Sequence, residues 1–146
     1  MSVIPTWTAP LTLAPNGIFV FGSNLAGRHG AGAAYTALKH YGAIYGQGIG
    51  LRGRSYALST MSANPPPRPA QVRPLPLGAI TNHADVFKAF AAQHPELLFF
   101  LTRVGCGSAG FSDRQIAPLF LNAPANVLRP PEWGRDSARH RDSDRT

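Results

Sequence analysis

The sequence predicts one α/β domain in which strands and helices alternate along the chain. Short apolar runs end in glycine-rich loops at two places, and each loop is followed by a segment with helical spacing. These two strand–loop–helix units occupy residues 18–41 and 97–121. The length of 146 residues is typical of one domain with its own hydrophobic core. We therefore expect a layered α/β structure with crossover connections.

The first half of the chain contains four predicted segments. Residues 17–22 are apolar, rich in β formers and bounded by glycine, which predicts a buried strand. Apolar side chains then recur on one side of a predicted helix over about 32–41. A glycine-rich connection at 45–50 leads to residues 54–60, which have strand character.

A proline-rich stretch separates the two halves. Residues 61–78 contain six prolines, which is typical of a surface loop with polyproline character. It is either a spacer or a docking site for a proline-binding partner. A helix is predicted over 79–93, and an apolar run predicts a second buried strand over 97–104.

The second unit continues with a glycine-rich loop at 105–110. Ser112 and Gln115 have the spacing of a capping box, which predicts a helix from there to about residue 121. Residues 126–128 are interpreted as a last short strand. From 130 onward the chain is charged and almost free of apolar residues, so we expect a domain over 1–129 and a disordered tail over 130–146.

Charge and composition restrict the classes of function. The net charge is +7, the excess lies within residues 1–129, and 12 of the 14 basic side chains are Arg. Such a protein attracts an anionic partner, either a small nucleotide or a nucleic acid. The single cysteine, Cys106, excludes an intramolecular disulfide and a multi-cysteine zinc site. The sequence has no run long enough for a membrane span and no signal peptide, so we expect a cytoplasmic protein. We also expect no metal and no cofactor.

The two glycine-rich loops are the strongest functional signal in the residues themselves. A glycine-rich turn between a strand and a helix presents main-chain N–H groups to an anion. Both loops are expected at the carboxyl ends of their strands, where ligands bind in open α/β sheets. They form one shared ligand site, or their glycines serve only the turns. Neither loop has the Walker A or the dinucleotide-binding spacing.

The residues of these loops resemble the macrodomain superfamily. Residues 21–34 read Phe-Gly-Ser-Asn-Leu-Ala-Gly-Arg-His-Gly-Ala-Gly-Ala-Ala, and residues 104–111 read Val-Gly-Cys-Gly-Ser-Ala-Gly-Phe. They are similar to small macrodomain-like proteins of phages and bacteria with Phe-Gly-Ser-Asn and Gly-Cys-Gly signatures. The resemblance covers about residues 17–128. It implies a three-layer α/β/α fold with a central mixed sheet that binds ADP-ribose or another NAD-derived nucleotide.

The resemblance also implies roles for individual residues. Asn24 matches an asparagine that contacts the distal ribose, and Phe111 matches an aromatic residue that packs on this sugar. The residues implied to bind the ligand are Gly22, Ser23, Asn24, Gly30, Ala31, Gly32, Gly105, Cys106, Gly107, Ser108, Ala109, Gly110 and Phe111. The implied partners are ADP-ribose or a related nucleotide and ADP-ribosylated protein.

Two departures from the family bear on catalysis. The related hydrolases that remove ADP-ribose from glutamate use a lysine and an aspartate where this chain has Met61 and Ala109. Recognition is therefore favoured over that covalent mechanism, while hydrolysis by a positioned water remains an alternative. In many macrodomains an acidic residue near the first strand contacts the adenine amino group. This residue has no match here, because no acidic residue precedes Asp85. The resemblance therefore leaves the specificity for adenine open.

Other candidate residues have two readings each. His29 is a general base or phosphate donor, or a solvated loop histidine. Asp113 is a general base or a first-turn acid favoured by the helix dipole, and Cys106 is a nucleophile or a small residue in a tight loop. Arg28 and Arg103 flank the loops and are candidates for reaching a phosphate.

A nucleic-acid-binding protein is the rival prediction. It is supported by the basic charge and by nearby residues for phosphate contact and base stacking, namely Arg52, Arg54, Arg68, Arg73, Tyr45 and Tyr56.

Overall fold

The sheet is central to the fold. The computed structural model describes residues 15–29, 32–62, 73–107 and 109–133. Within them the strands are β1 (Gly17–Asn24), β2 (Gly50–Arg52), β3 (Ser55–Met61), β4 (Leu98–Leu101) and β5 (Val127–Leu128). They form one five-stranded sheet with the order β2-β3-β1-β4-β5. β1 pairs in parallel with β3 and β4, β4 pairs in parallel with β5, and β2 is an antiparallel edge strand. The predicted α/β class and mixed sheet are confirmed.

Helices cover both faces of this sheet. They are α1 (Gly32–His40), α2 (Leu77–Gln93) and the short α3 (Asp113–Ile116), which continues as a 3-10 turn over Ala117–Phe120. Ile18 and Val20 of β1 pack in the core formed with α2 and α3, whereas Phe19 and Phe21 pack with α1. Successive side chains of a strand point to opposite faces, so covering both faces explains why residues 18–21 of β1 are all apolar.

The larger core lies between the sheet and α2. Phe87 of α2 is fully buried, and its ring meets Phe99 edge-on with 5.4 Å between ring centroids. The ring of Tyr56 lies 5.0 Å from that of Phe87, and the ring of Phe120 closes the same cluster. Aromatic rings in this geometry add to the hydrophobic stabilisation. The cluster fixes α2, and with it the position of β4, behind the glycine-rich loops.

Several predicted elements differ in extent from those observed. The strand predicted over 97–104 spans only Leu98–Leu101 as β4. The predicted connection ended at Gly50 and no strand was predicted over 51–52, but residues 50–52 pair with β3 as strand β2. The predicted helix after Ser112 has the expected capping box, but its α-helical part ends at Ile116. Pro118 has no N–H to continue the α-helical hydrogen bonds, and the chain changes to the 3-10 turn.

The C-terminal boundary also differs from the prediction. Packing continues beyond residue 129, because Trp133 is fully buried and stacks on Phe120 with 5.5 Å between ring centroids. Residues 130–133 therefore belong to the folded domain rather than to the predicted tail, and residues 134–146 lie outside the described residues.

The proline-rich segment is described only at its ends. β3 includes Met61 and α2 begins at Leu77, so the connection is shorter than predicted at both ends. Residues 63–72 lie outside the described residues. Among the helices that the structure describes, none has the length and apolar character needed to cross a membrane.

Candidate functional site

A cleft opens where three parallel strands end. β3, β1 and β4 lie side by side, and the cleft of about 610 Å³ is lined by the residues at their carboxyl ends. After β1 the chain passes to α1 on one face of the sheet, and after β4 it passes to α3 on the other. Loops that leave adjacent strands toward opposite faces diverge, which leaves a crevice between them where ligands bind in such sheets.

The two glycine-rich loops meet at this cleft. The predicted ligand-binding residues that line it are Gly22, Ser23, Asn24, Gly32, Gly105, Cys106, Gly107 and Ala109. Gly110 and Phe111 are not among the lining residues, and Phe111 is partly buried against the core. Gly30, Ala31 and Ser108 lie outside the described residues. The structure thus brings together loops that are far apart in sequence.

Gly105 and Gly107 of the second loop differ in the structural reason for a glycine at each position. Gly105 has a φ of 80°, and a Cβ there would lie 3.1 Å from Cδ1 of Ile116, so both backbone and packing require glycine. Gly107 does not have a positive φ, and a Cβ there would meet no other atom within 4 Å among the described residues. The fold does not explain the glycine at 107, whereas the close approach of a ligand would.

Side chains of the first loop stabilise the loop itself. The amide of Asn24 accepts from the N–H of Arg28 at 3.0 Å and donates to its carbonyl at 2.9 Å. The buried hydroxyls of Ser23 and Ser59 both donate to the carbonyl of Gly48, which ties the next connection to the sheet. The second amide N–H of Asn24 donates to none of the described residues, whereas the Ser23 hydroxyl is used within the protein.

His29 lies behind the cleft. The side chain is fully buried, so His29 is not a solvated loop histidine, and it is not among the lining residues of the cleft. Its Nε2 lies 3.1 Å from the carbonyl oxygen of Gln47, and its ring meets Phe21 edge-on at 5.1 Å. Burial lowers the pKa of His29, although hydrogen bonding to the Gln47 backbone partly opposes this. A neutral, enclosed imidazole supports the loop and takes no part in surface chemistry.

A polar network lies at the side of the cleft formed by the second loop. Arg103 donates from Nε and Nη2 to both oxygens of Asp113, at 3.0 and 2.9 Å. The indole Nε1 of Trp133 donates to the same carboxylate at 2.6 Å. Burial would raise the pKa of Asp113, but hydrogen bonds from Arg103, Trp133 and Cys106 outweigh it and lower this pKa. Asp113 is therefore an ionised structural acceptor and not a free general base.

Cys106 belongs to the same network. Burial, with the hydrogen bond and charge of Asp113, raises the pKa of the Cys106 thiol to about 12. The thiolate is the nucleophilic form of cysteine, so this thiol is unreactive at neutral pH. The reading of Cys106 as a small residue in a tight loop agrees with this environment.

The charged groups that line the cleft are basic. Among the described lining residues, Arg28 and Arg103 are cationic and none is acidic. Met61 and Ala109 both line the cleft. Within the described residues no group of three His, Cys, Asp or Glu side chains is arranged to hold a metal. The cleft can bind an anion, and it presents no free carboxylate to a substrate.

Several features of the site were not predicted from the sequence. The first turn of α1 contributes Ala33 and Ala34 to the lining, and Thr102, directly after β4, contributes as well. The bond between Trp133 and Asp113 was missed because Trp133 is a single apolar residue in a charged segment.

The proposed surface for stacking nucleic-acid bases is only partly present. Tyr56 is buried, at 3% exposure, and cannot stack on a base, whereas Tyr45 is 60% exposed. Arg52, Arg54 and Arg73 are exposed, and Arg68 lies outside the described residues. No family model, curated protein or solved structure matches this chain in the comparisons with known proteins.

Proposed function

We propose that the cleft binds ADP-ribose or another NAD-derived nucleotide, with the diphosphate between the two glycine-rich loops. The observation that carries this proposal is the meeting of both loops at one cleft, at the carboxyl ends of β1 and β4. Glycine-rich turns used only for chain reversal have no need to face each other across a cavity. The helices on both faces of the mixed sheet also support a macrodomain-like fold.

The groups around the cleft suit a diphosphate. In the described chain, the main-chain N–H groups of Gly105 and Gly107 donate to no protein acceptor. The first turn of α1 lies opposite, and helix N-termini favour anions through their free N–H groups and dipole. Arg28 and Arg103 add positive charge without a lining carboxylate to repel the phosphates.

The dimensions and walls of the cleft suit a nucleotide. Its volume of about 610 Å³ falls in the range of small-molecule sites. Met61, Val104 and Ala109 supply apolar surface beside the polar loop atoms. The free N–H of Asn24 is available to a sugar hydroxyl. A cleft of this kind binds one nucleotide better than it binds a continuous nucleic-acid strand.

We propose recognition rather than hydrolysis as the activity. The described residues bring no unpaired carboxylate to the cleft, Asp113 is bound by Arg103 and Trp133, and the Cys106 thiol stays protonated. Hydrolysis by a positioned water is checked by incubating the protein with ADP-ribosylated protein and with ADP-ribose 1″-phosphate. Release of ADP-ribose would contradict the assignment as a pure binder.

The test is calorimetry with ADP-ribose on the wild type, Gly107→Glu and Gly107→Ala. We expect binding in the micromolar range by the wild type and a smaller loss in Gly107→Ala than in Gly107→Glu, because the methyl group meets no protein atom within 4 Å but lies where a ligand would approach the main chain. A carboxylate about 5 Å from a phosphate costs about 3 kcal/mol at an effective dielectric constant of about 20. Solvent at the open mouth reduces this to about 2 kcal/mol, so Gly107→Glu should bind roughly thirtyfold more weakly.

Two outcomes would contradict the proposal. One is a folded wild type that does not bind ADP-ribose. The other is tight binding of an oligonucleotide that weakens steeply with added salt, which is the behaviour of the nucleic-acid-binding alternative.

A further inference from the structure

The guanidinium of Arg103 is held in a fixed orientation beside the cleft. Arg103 follows β4, lines the cleft and keeps a side chain that is 45% exposed. Its two hydrogen bonds to Asp113, from Nε at 3.0 Å and Nη2 at 2.9 Å, fix the plane of the group. A bidentate pair of this kind sets both the position and the orientation of the arginine.

The carboxylate that holds Arg103 is itself anchored to the core. Trp133 donates from Nε1 to Oδ1 of Asp113 at 2.6 Å. The indole is fully buried and stacks on Phe120 at 5.5 Å. Asp113 also lies in the first turn of α3, whose capping box at Ser112 fixes the start of the helix. The chain of contacts therefore runs from the core, through indole and carboxylate, to the guanidinium.

Arg103 keeps donors for a ligand after these bonds are made. A guanidinium has five N–H groups, and Asp113 uses two of them. The donors of Nη1 make no hydrogen bond to a described residue. Because the side chain is already ordered by Asp113, binding a phosphate would cost little further rotamer entropy. Arg28, on the other side of the cleft, has no ion-pair partner among the described residues that would order it in this way.

We propose that Arg103 is the side chain that contacts the ligand's phosphate, and that Asp113 and Trp133 are positioning residues that aim it into the cleft. This inference rests on the proposed nucleotide-binding function. It adds the identity of the side chain that contacts the anionic phosphate. It also gives a functional role to Trp133, which lies beyond the predicted end of the domain.

The test measures the binding of two probes, ADP-ribose and inorganic pyrophosphate, by calorimetry at low and high salt. Arg103→Gln keeps a polar side chain but removes the charge, and we expect at least tenfold weaker binding of both probes and a smaller salt dependence. The matched control is Arg114→Gln, which removes an exposed arginine of α3 that does not line the cleft. It should bind both probes within twofold of the wild type.

Two variants that conserve charge test the positioning role. Trp133→Phe keeps a ring on Phe120 but removes the N–H donor, and Asp113→Glu moves the carboxylate by one methylene group. Each should weaken binding three- to tenfold. In the Arg103→Gln background neither should weaken binding further, because positioning acts only through the arginine. If Trp133→Phe fails to fold by circular dichroism, Asp113→Glu carries this comparison.

The outcomes separate this inference from the proposed function. Failure to bind ADP-ribose together with Arg103-dependent binding of pyrophosphate supports the inference and removes the nucleotide assignment. If Arg103→Gln binds both probes as tightly as the wild type does, the inference is overturned and the nucleotide assignment stands. Additive losses in the double variants overturn the positioning role, and binding of neither probe by the wild type overturns the whole inference.

Discussion

Alanine should destabilise the protein at position 105 but not at position 107, although the two glycines are close neighbours in one loop. An alanine at 105 would adopt a φ near 80°, which costs about 1–2 kcal/mol for a residue with a Cβ. Its Cβ would also lie 3.1 Å from Cδ1 of Ile116, which would have to shift. We expect Gly105→Ala to lower the free energy of unfolding by about 2 kcal/mol, from the backbone cost and this crowding.

Gly107→Ala has neither cost. Its methyl group would meet no atom within 4 Å among the described residues, and the backbone does not have a positive φ. Alanine also restricts the unfolded chain, which stabilises a protein by about 0.4–1 kcal/mol at a compatible site. We therefore expect Gly107→Ala to be neutral or slightly stabilising.

The assay is urea denaturation of the wild type and both variants, followed by circular dichroism. A midpoint lowered in Gly105→Ala alone, with an unchanged slope, is the expected result. Equal destabilisation by both variants would refute the reasoning. It would show that Gly107 serves the turn, and the glycine at 107 would no longer point to a ligand.

Three further predictions concern side chains around the site and core. Because burial lowers the pKa of His29, the unfolded chain takes up a proton first as the pH falls. The free energy of unfolding should therefore decrease from about pH 7 toward pH 5, with a smaller slope in His29→Gln; parallel pH profiles would contradict this. At pH 8 the Cys106 thiol should react with an aromatic disulfide at least about tenfold more slowly than free cysteine does, because its pKa is raised. The reaction should be faster in Asp113→Asn than in the wild type. Equal rates for Cys106 and free cysteine would contradict the raised pKa of the thiol. Asn126 donates to three main-chain carbonyls at and beyond the end of α2, so Asn126→Ala should cost about 1–3 kcal/mol in urea denaturation. The exposed Asn122→Ala is its control, and an equal loss in both would contradict the special role of Asn126.

Local patterns were sufficient for much of the fold. β1 could be predicted because its residues 18–21, covered on both faces, are all apolar, and α2 because Ile80, Ala84, Phe87 and Ala91 recur on one side. The place of the cleft could be predicted as well. Glycine-rich loops after parallel strands must lie at the same edge of the sheet.

Other features depend on contacts between distant segments. Strand β2 has little β character of its own and forms because β3 offers an unpaired edge. The burial of His29 comes from the connection that packs over it through Gln47, which no local pattern records. Trp133 gives no periodic signal in a charged segment, yet it fills a position against Phe120. For these residues tertiary packing determines the structure, and local composition does not.

The claim that two distant loops form one nucleotide site is tested most directly by nuclear magnetic resonance. The measurement is a titration of ¹⁵N-labelled protein with ADP-ribose, followed through its amide resonances. We expect saturable shifts concentrated in residues 22–28 and 103–109, with the amide shifts of Gly105 and Gly107 among the largest. Shifts confined to one loop, shifts centred on Arg52 and Arg73, or no shifts at all would contradict it.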